Sequence, residues 1–182
     1  MLLGDLTRYE TITDWPFILL GILIMDVLVL FLTKYFPNVF GKSLNEWYEV
    51  FGLNAVLADV FIIAIGFAIA RYVYAYFVPS EDMATNLGLF LGILLVVQLL
   101  HDILFYFAVI KPLAEGHNRM IDIFKQYAKG GAKILTGDAG LMLGSFVFAA
   151  LLKEAPDHVA VSVGLLTLYT LPYILETTNT FS

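Results

Sequence analysis

The chain has 182 residues, of which 60% are hydrophobic and 14% charged, with a mean hydropathy of +0.84. Soluble domains carry about 45–50% apolar and about 25% charged residues, so this composition excludes an ordinary water-soluble enzyme and a disordered chain alike. The formal charge of -6, from 10 bases against 16 acids, argues against a nucleic-acid partner, and the absence of cysteine excludes thiol catalysis, disulfides and Cys-based metal centres.

Met1 to Trp15 holds Asp5, Glu10 and Asp14 with only Arg8 as a base, so no secretory signal peptide is expected there. Beyond it, long apolar runs set the elements, because about 20 residues of helix cross the hydrocarbon layer. They predict an all-α fold: a polytopic transmembrane helix bundle forming one membrane domain over 1–182, its main partner the lipid bilayer. Spans are expected over 16–36, 55–78, 87–110, 134–152 and 159–175. The last two are the shortest and leave a half-buried hairpin as an alternative. Helices satisfy every backbone polar group inside lipid, and no alternating pattern of a β-barrel is visible. Trp15-Pro16 reads as an interfacial anchor followed by proline at a helix start.

The connections carry the charge. Lys34 and Lys42 flank or occupy the first loop; Lys111, Arg119, Lys125, Lys129 and Lys133 occupy the third; the second, 79–86, has no base. The positive-inside rule then predicts the N-terminus outside and the C-terminus in the cytoplasm or its equivalent. Ser43 and Glu46 have capping-box spacing, which predicts a helix through Trp47, Tyr48 and Phe51 running directly into span two. In the third loop, Met120, Ile123, Phe124 and Tyr127 recur at helical spacing, predicting an interfacial amphipathic helix over 116–132 that ends at Gly130-Gly131.

The spans contain charges that lipid does not tolerate unpaired. Asp26, Asp59, Asp102 and Asp138 lie in four different spans, with His101 beside Asp102 and Arg71 in span two. Each ionised group at mid-helix costs about 2.5–3.5 kcal/mol, so these groups must be paired, protonated or wetted. Asp59, His101, Asp102 and Asp138 fall toward the same side, with Asp26 near the middle. Arg71 is twelve residues, about 18 Å, from Asp59 and is left to snorkel or to pair with Asp26 or another group. Asp and His together suit a proton relay or an oxygen-ligated cation, and equally suit interhelical glue. The metal, if any, is left open. The pairs Gly88/Gly92 and Gly140/Gly144 are small-xxx-small motifs and predict close helix packing, including packing between copies in a homo-oligomer. His101, His117 and His158 are scattered, no phosphate loop, nucleophile elbow or zinc-protease motif occurs, and no cofactor is expected. An enzyme is the less favoured class.

Three stretches stand out: His101 to Pro112, Gly116 to Ala128 and Gly137-Asp138. They resemble uncharacterised multi-span membrane proteins of large DNA viruses of algae and amoebae. That resemblance implies a virion membrane or assembly component and carries no activity or site residue with it. The leading expectation is proton or cation handling by a small channel or transporter through Asp26, Asp59, His101, Asp102 and Asp138. The alternative is a non-catalytic structural membrane protein.

Overall fold

The computed structural model describes residues 5–36, 38–78, 86–128 and 132–178, with backbone only for 132–135. The fold is all helical, with helix making up 82%. In chain order the helices are α1 (Trp15–Tyr35), α2 (Lys42–Phe51), α3 (Leu53–Phe77), α4 (Leu87–Phe105), α5 (Arg119–Ala128), α6 (Ala132–Glu154) and α7 (Asp157–Leu175). A 3-10 turn, Ile12–Asp14, leads into α1, and a π-helical turn, Tyr106–Ile110, prolongs α4. Among the described residues five helices are long and apolar enough to cross a membrane: Ile12–Tyr35, Leu53–Phe77, Leu87–Ile110, Thr136–Glu154 and Asp157–Leu175. The architecture is that of an integral multi-pass membrane protein. The fourth and fifth spans, at 19 residues each, reach the length of full crossings rather than of a half-buried hairpin.

Span one is the centre of the bundle. α1 packs most extensively on α6 and also touches α3 and α7. The α1–α6 approach is close because Gly21 has no side chain: a Cβ there would stand 2.5 Å from the Ala149 nitrogen and 2.7 Å from the Ser145 carbonyl oxygen. Gly144 receives the Met25 side chain, and Gly66 receives the Met142 methyl. Of the four glycines whose spacing predicts close packing, Gly144 packs within the chain, while Gly88, Gly92 and Gly140 have nothing within 4 Å of an added Cβ among the described residues. The i, i+4 spacing marks a shared face but does not say whether another helix covers it.

α4 and α7 are peripheral. Leu89, Val96, Leu100 and Leu104 of α4, and Val161, Leu165, Leu168 and Tyr169 of α7, are exposed. Such a continuous apolar surface is at home in lipid.

The bundle has two dissimilar ends. At one, residues 5–14 form a strap. Buried Asp14 accepts from Arg71 Nη2 at 2.9 Å and from Lys153 Nζ at 2.7 Å. Arg71 also donates to the carbonyls of Thr11 and Arg8, Lys153 donates to that of Asp5, and the Arg71 guanidinium lies 5.6 Å from the Trp15 ring centre. Arg71 therefore pairs with Asp14 and not with Asp26.

At the other end, α2 and α5 lie against each other as a collar. Leu44, Trp47, Tyr48 and Phe51 give α2 an inward apolar face, while Lys42 and Glu49 stay exposed. The expected capping box is not formed: α2 begins at Lys42, with Gly41 rather than Ser43 at the N-cap. Nor does α2 run on into span two. Gly52, at φ +50°, breaks the chain between α2 and α3, and Gly41 enters α2 at φ +92°. Both are conformations that side chains other than glycine rarely adopt. α5 starts later than the sequence suggested, because the Asn118 Oδ1 caps the Met120 and Ile121 nitrogens at 2.9 and 3.2 Å. The expected stop at Gly130-Gly131 lies outside the described residues.

Candidate functional site

Beneath the collar, polar side chains of the spans meet those of α2. Asp26 lies nine residues from the end of α1, about 14 Å deep. Its side chain is fully buried, and its Oδ1 accepts from the Tyr48 hydroxyl at 2.7 Å. Asp59 is six residues into α3, about 9 Å deep. Its Oδ2 accepts from the Trp47 indole nitrogen at 2.9 Å. Neighbouring residues of one short helix thus bind carboxylates on two different spans.

The second half of the cluster is built from α4, α5 and α6. The Asp102 Oδ1 accepts from Gln98 Nε2 at 2.8 Å and lies 3.2 Å from His101 Nδ1. His101 stacks on Phe105 at 5.5 Å, Phe105 meets Phe124 edge-on at 6.0 Å, and Phe124 lies 4.8 Å from Trp47. This aromatic chain ties the His101–Asp102 pair to the indole that holds Asp59. Asp138 lies in the first turns of α6, within electrostatic reach of Asp102 and Asp59.

Tyr127 of α5 links the two halves. Its hydroxyl lies about 4 Å from where a Gly137 Cβ would stand, so it sits beside the Asp138 turn. Its phenol is held well above the usual range, first by burial and then by the charges of Asp138, Asp59 and Asp102. Burial, followed by Asp26 and Asp59, does the same to Tyr48. Both collar helices therefore present a neutral phenol to a group of carboxylates.

The partners are telling. Asp26 is met by a phenol, Asp59 by an indole, and Asp102 by an amide and an imidazole. Among the described residues no ion pair joins any of them to lysine or arginine. The strap end of the same protein supplies the contrast, for there one buried carboxylate has two cations. Among the described residues, one oxygen of Asp26 and one of Asp102 are buried without a hydrogen-bond partner, as are the hydroxyls of Thr33 and Ser145. Buried carboxylates without cationic partners take up protons or water rather than stay bare. Among the described residues no three His, Asp or Glu side chains converge as metal ligands would.

Between Asp26 and the strap the bundle is shut by buried apolar side chains, Ile18, Ile22, Phe67, Met142 and Phe146. Phe90 bridges Tyr74 and Phe146 across this layer, with ring centres 5.4 and 5.7 Å apart.

Sequence spacing brought Asp59, His101, Asp102 and Asp138 toward one end; Asp138 lies within electrostatic reach of Asp102 and Asp59, Asp26 of Asp59, and His101 stands beside Asp102. Arg71 belongs to the opposite end. Trp47, Tyr48 and Tyr127, which hold or face the carboxylates, were visible only as the apolar stripes of amphipathic helices. Their polar tips were the available signal. No protein-family model, curated protein or solved structure matches this chain.

Proposed function

We propose that this membrane protein handles protons through the carboxylate cluster under the α2–α5 collar, as a small channel or transporter. The observation that carries this reading is the contrast between the two ends. A buried aspartate is neutralised by arginine and lysine at the strap, whereas Asp26, Asp59 and Asp102 at the collar are met by neutral donors and one histidine. Such a group can change its proton count without breaking an ion pair. Tyr48, Tyr127 and His101 supply hydroxyl and ring positions between carboxylates along which a proton hops. The collar end faces the cytoplasm in this reading, as the loop bases predict. The apolar layer at Ile22 and Phe67 is then the closed barrier, and passage requires it to part. Protons are favoured over metal cations because no three-ligand group converges among the described residues. The unpacked Gly88 and Gly92 face of α4 supports association of copies as a homo-oligomer.

The test is proton flux into liposomes containing the purified protein, beside folded Asp26→Asn and Asp102→Asn variants. The wild type is expected to acidify the lumen and at least one variant to lose about tenfold or more of that rate, the scale of a lost proton-transfer group. Absence of flux across pH and voltage, or equal flux in all three proteins, would remove the reading.

The closed apolar layer favours a second reading, a structural or assembly membrane protein with no transport, of the kind the viral resemblance implies. In that case Asp→Asn changes alter only stability.

A further inference from the structure

The way α2 is held sets it apart from the spans it touches. It is ten residues long and lies between two glycines at positive φ, Gly41 at +92° and Gly52 at +50°. It is therefore joined to α1 and α3 through the most permissive backbone positions a chain has. Its inward face carries two adjacent polar-tipped aromatics. Tyr48 donates to Asp26 on α1, and Trp47 donates to Asp59 on α3. Both side chains are buried, at 1% and 4% exposure, and they lie between the carboxylates and the collar surface. The outward face is charged, with Lys42 and Glu46 paired at 3.5 Å on the surface.

A helix that only covered the bundle end would need neither donor. Apolar side chains would fill the same volume without having to match two carboxylates. Two directed bonds to two different spans, on a segment pivoting at both ends, describe a latch. Swinging α2 about Gly41 and Gly52 breaks both bonds together and uncovers Asp26 and Asp59 without disturbing the α1–α6 contact at Gly21.

We propose that α2 is a hinged gate over the carboxylate cluster, latched shut by the Trp47–Asp59 and Tyr48–Asp26 hydrogen bonds. This deepens the proton-handling reading by naming what controls access to that site, and it rests on that reading for its purpose though not for its geometry. The aromatic contact of Trp47 with Phe124 makes α5 the frame against which the gate closes.

The test reads accessibility rather than flux. The chain has no cysteine, so a single introduced thiol is unique. Ala55 is fully buried on α3, one turn from Asp59 on the side of Gly52. In nanodiscs, an Ala55→Cys protein is expected to react slowly with a small hydrophilic maleimide. Adding Trp47→Phe and Tyr48→Phe is expected to speed the reaction by about tenfold or more, as two hydrogen bonds are lost together. A Ser145→Cys protein, its thiol fully buried beneath the cluster, stays unreactive in both backgrounds. In the wild type, the α2 amides exchange hydrogen as one block, faster than those of α1 between Ile22 and Leu30.

Unchanged labelling in the double variant overturns the gate. So does an α2 as protected as α1, and so does a rise in labelling at both cysteine positions, which means general loosening. The two readings separate cleanly. A protein whose Ala55→Cys labelling depends on the latch but which passes no protons keeps the gate and loses the transport reading. One that conducts with labelling unchanged does the reverse.

Discussion

Replacing Asp14 by asparagine removes the negative charge from between Arg71 and Lys153 while keeping the side-chain shape. Asp14 and Arg71 are each 1% exposed in their side chains, at 2.9 Å. Breaking a buried pair by removing one partner costs about 3–5 kcal/mol, because the other charge stays buried and uncompensated. For a protein of this size that corresponds to a fall in Tm of about 6–20 °C. Lys153 is 28% exposed, so its pair with Asp14 is partly screened by solvent, and Lys153→Met is expected to cost about 1 kcal/mol or less. Among the described residues Arg71 Nε and Nη1 have no hydrogen-bond partner, so the desolvation of this guanidinium is only partly offset even in the native protein. The joint replacement Arg71→Met with Asp14→Leu is therefore expected to recover most of the stability lost by Asp14→Asn alone. Thermal unfolding of the four proteins in one detergent, followed by near-ultraviolet circular dichroism, measures all of these differences. If Asp14→Asn lowers Tm no further than Lys153→Met, the strap is not held by this pair, and the contrast between the two ends loses its basis.

The packing glycines separate by context. Gly21→Ala drives a methyl into the backbone of α6 and is expected to cost about 1–3 kcal/mol or more, whereas Gly92→Ala, in open space, stays within about 0.5 kcal/mol, both read from Tm. Alkali is expected to weaken the fold. The phenols of Tyr48 and Tyr127 titrate above their ordinary value in the native state, so their contribution is complete below about pH 10 and is lost as the pH climbs from there toward the folded values. Unfolding measured from pH 8 to 12 should fall steeply in the wild type and less steeply in Tyr48→Phe and Tyr127→Phe, and identical slopes would contradict this. Asn118→Ala removes the cap of α5 and should cost about 1 kcal/mol, visible as faster amide exchange confined to the first turn of that helix.

The spans were legible because hydrocarbon thickness imposes their length, and a run such as Leu87 to Ile110 has few other uses. Their apolar sides were less legible. In a soluble protein a hydrophobic stripe marks the core, but here both the lipid face and the packed face are apolar, so Gly92 and Gly21 look alike in sequence. Which one lies against a backbone depends on neighbours more than a hundred residues away. The carboxylates were legible for the opposite reason: lipid penalises them so heavily that each one announces a polar interior. Their partners were hidden. Trp47 and Tyr48 fit the hydrophobic period of α2 through their rings, and only the fold shows that their polar tips point at Asp59 and Asp26. The break between α2 and span two was obscured too, since Gly52 lies inside an otherwise helical pattern and its backbone geometry alone reveals the hinge.

The central position of the first span has a consequence for synthesis. Gly21 is made early, yet Ser145 and Ala149, against which it closes, come about 120 residues later. At about 5–20 residues per second, the first span waits about 6–24 s in the bilayer with its glycine notch open. Early termination, or a delay before α6, would leave that notch uncovered. Nascent chains cut short before α6 should therefore be the ones that an insertase retains or a membrane protease removes.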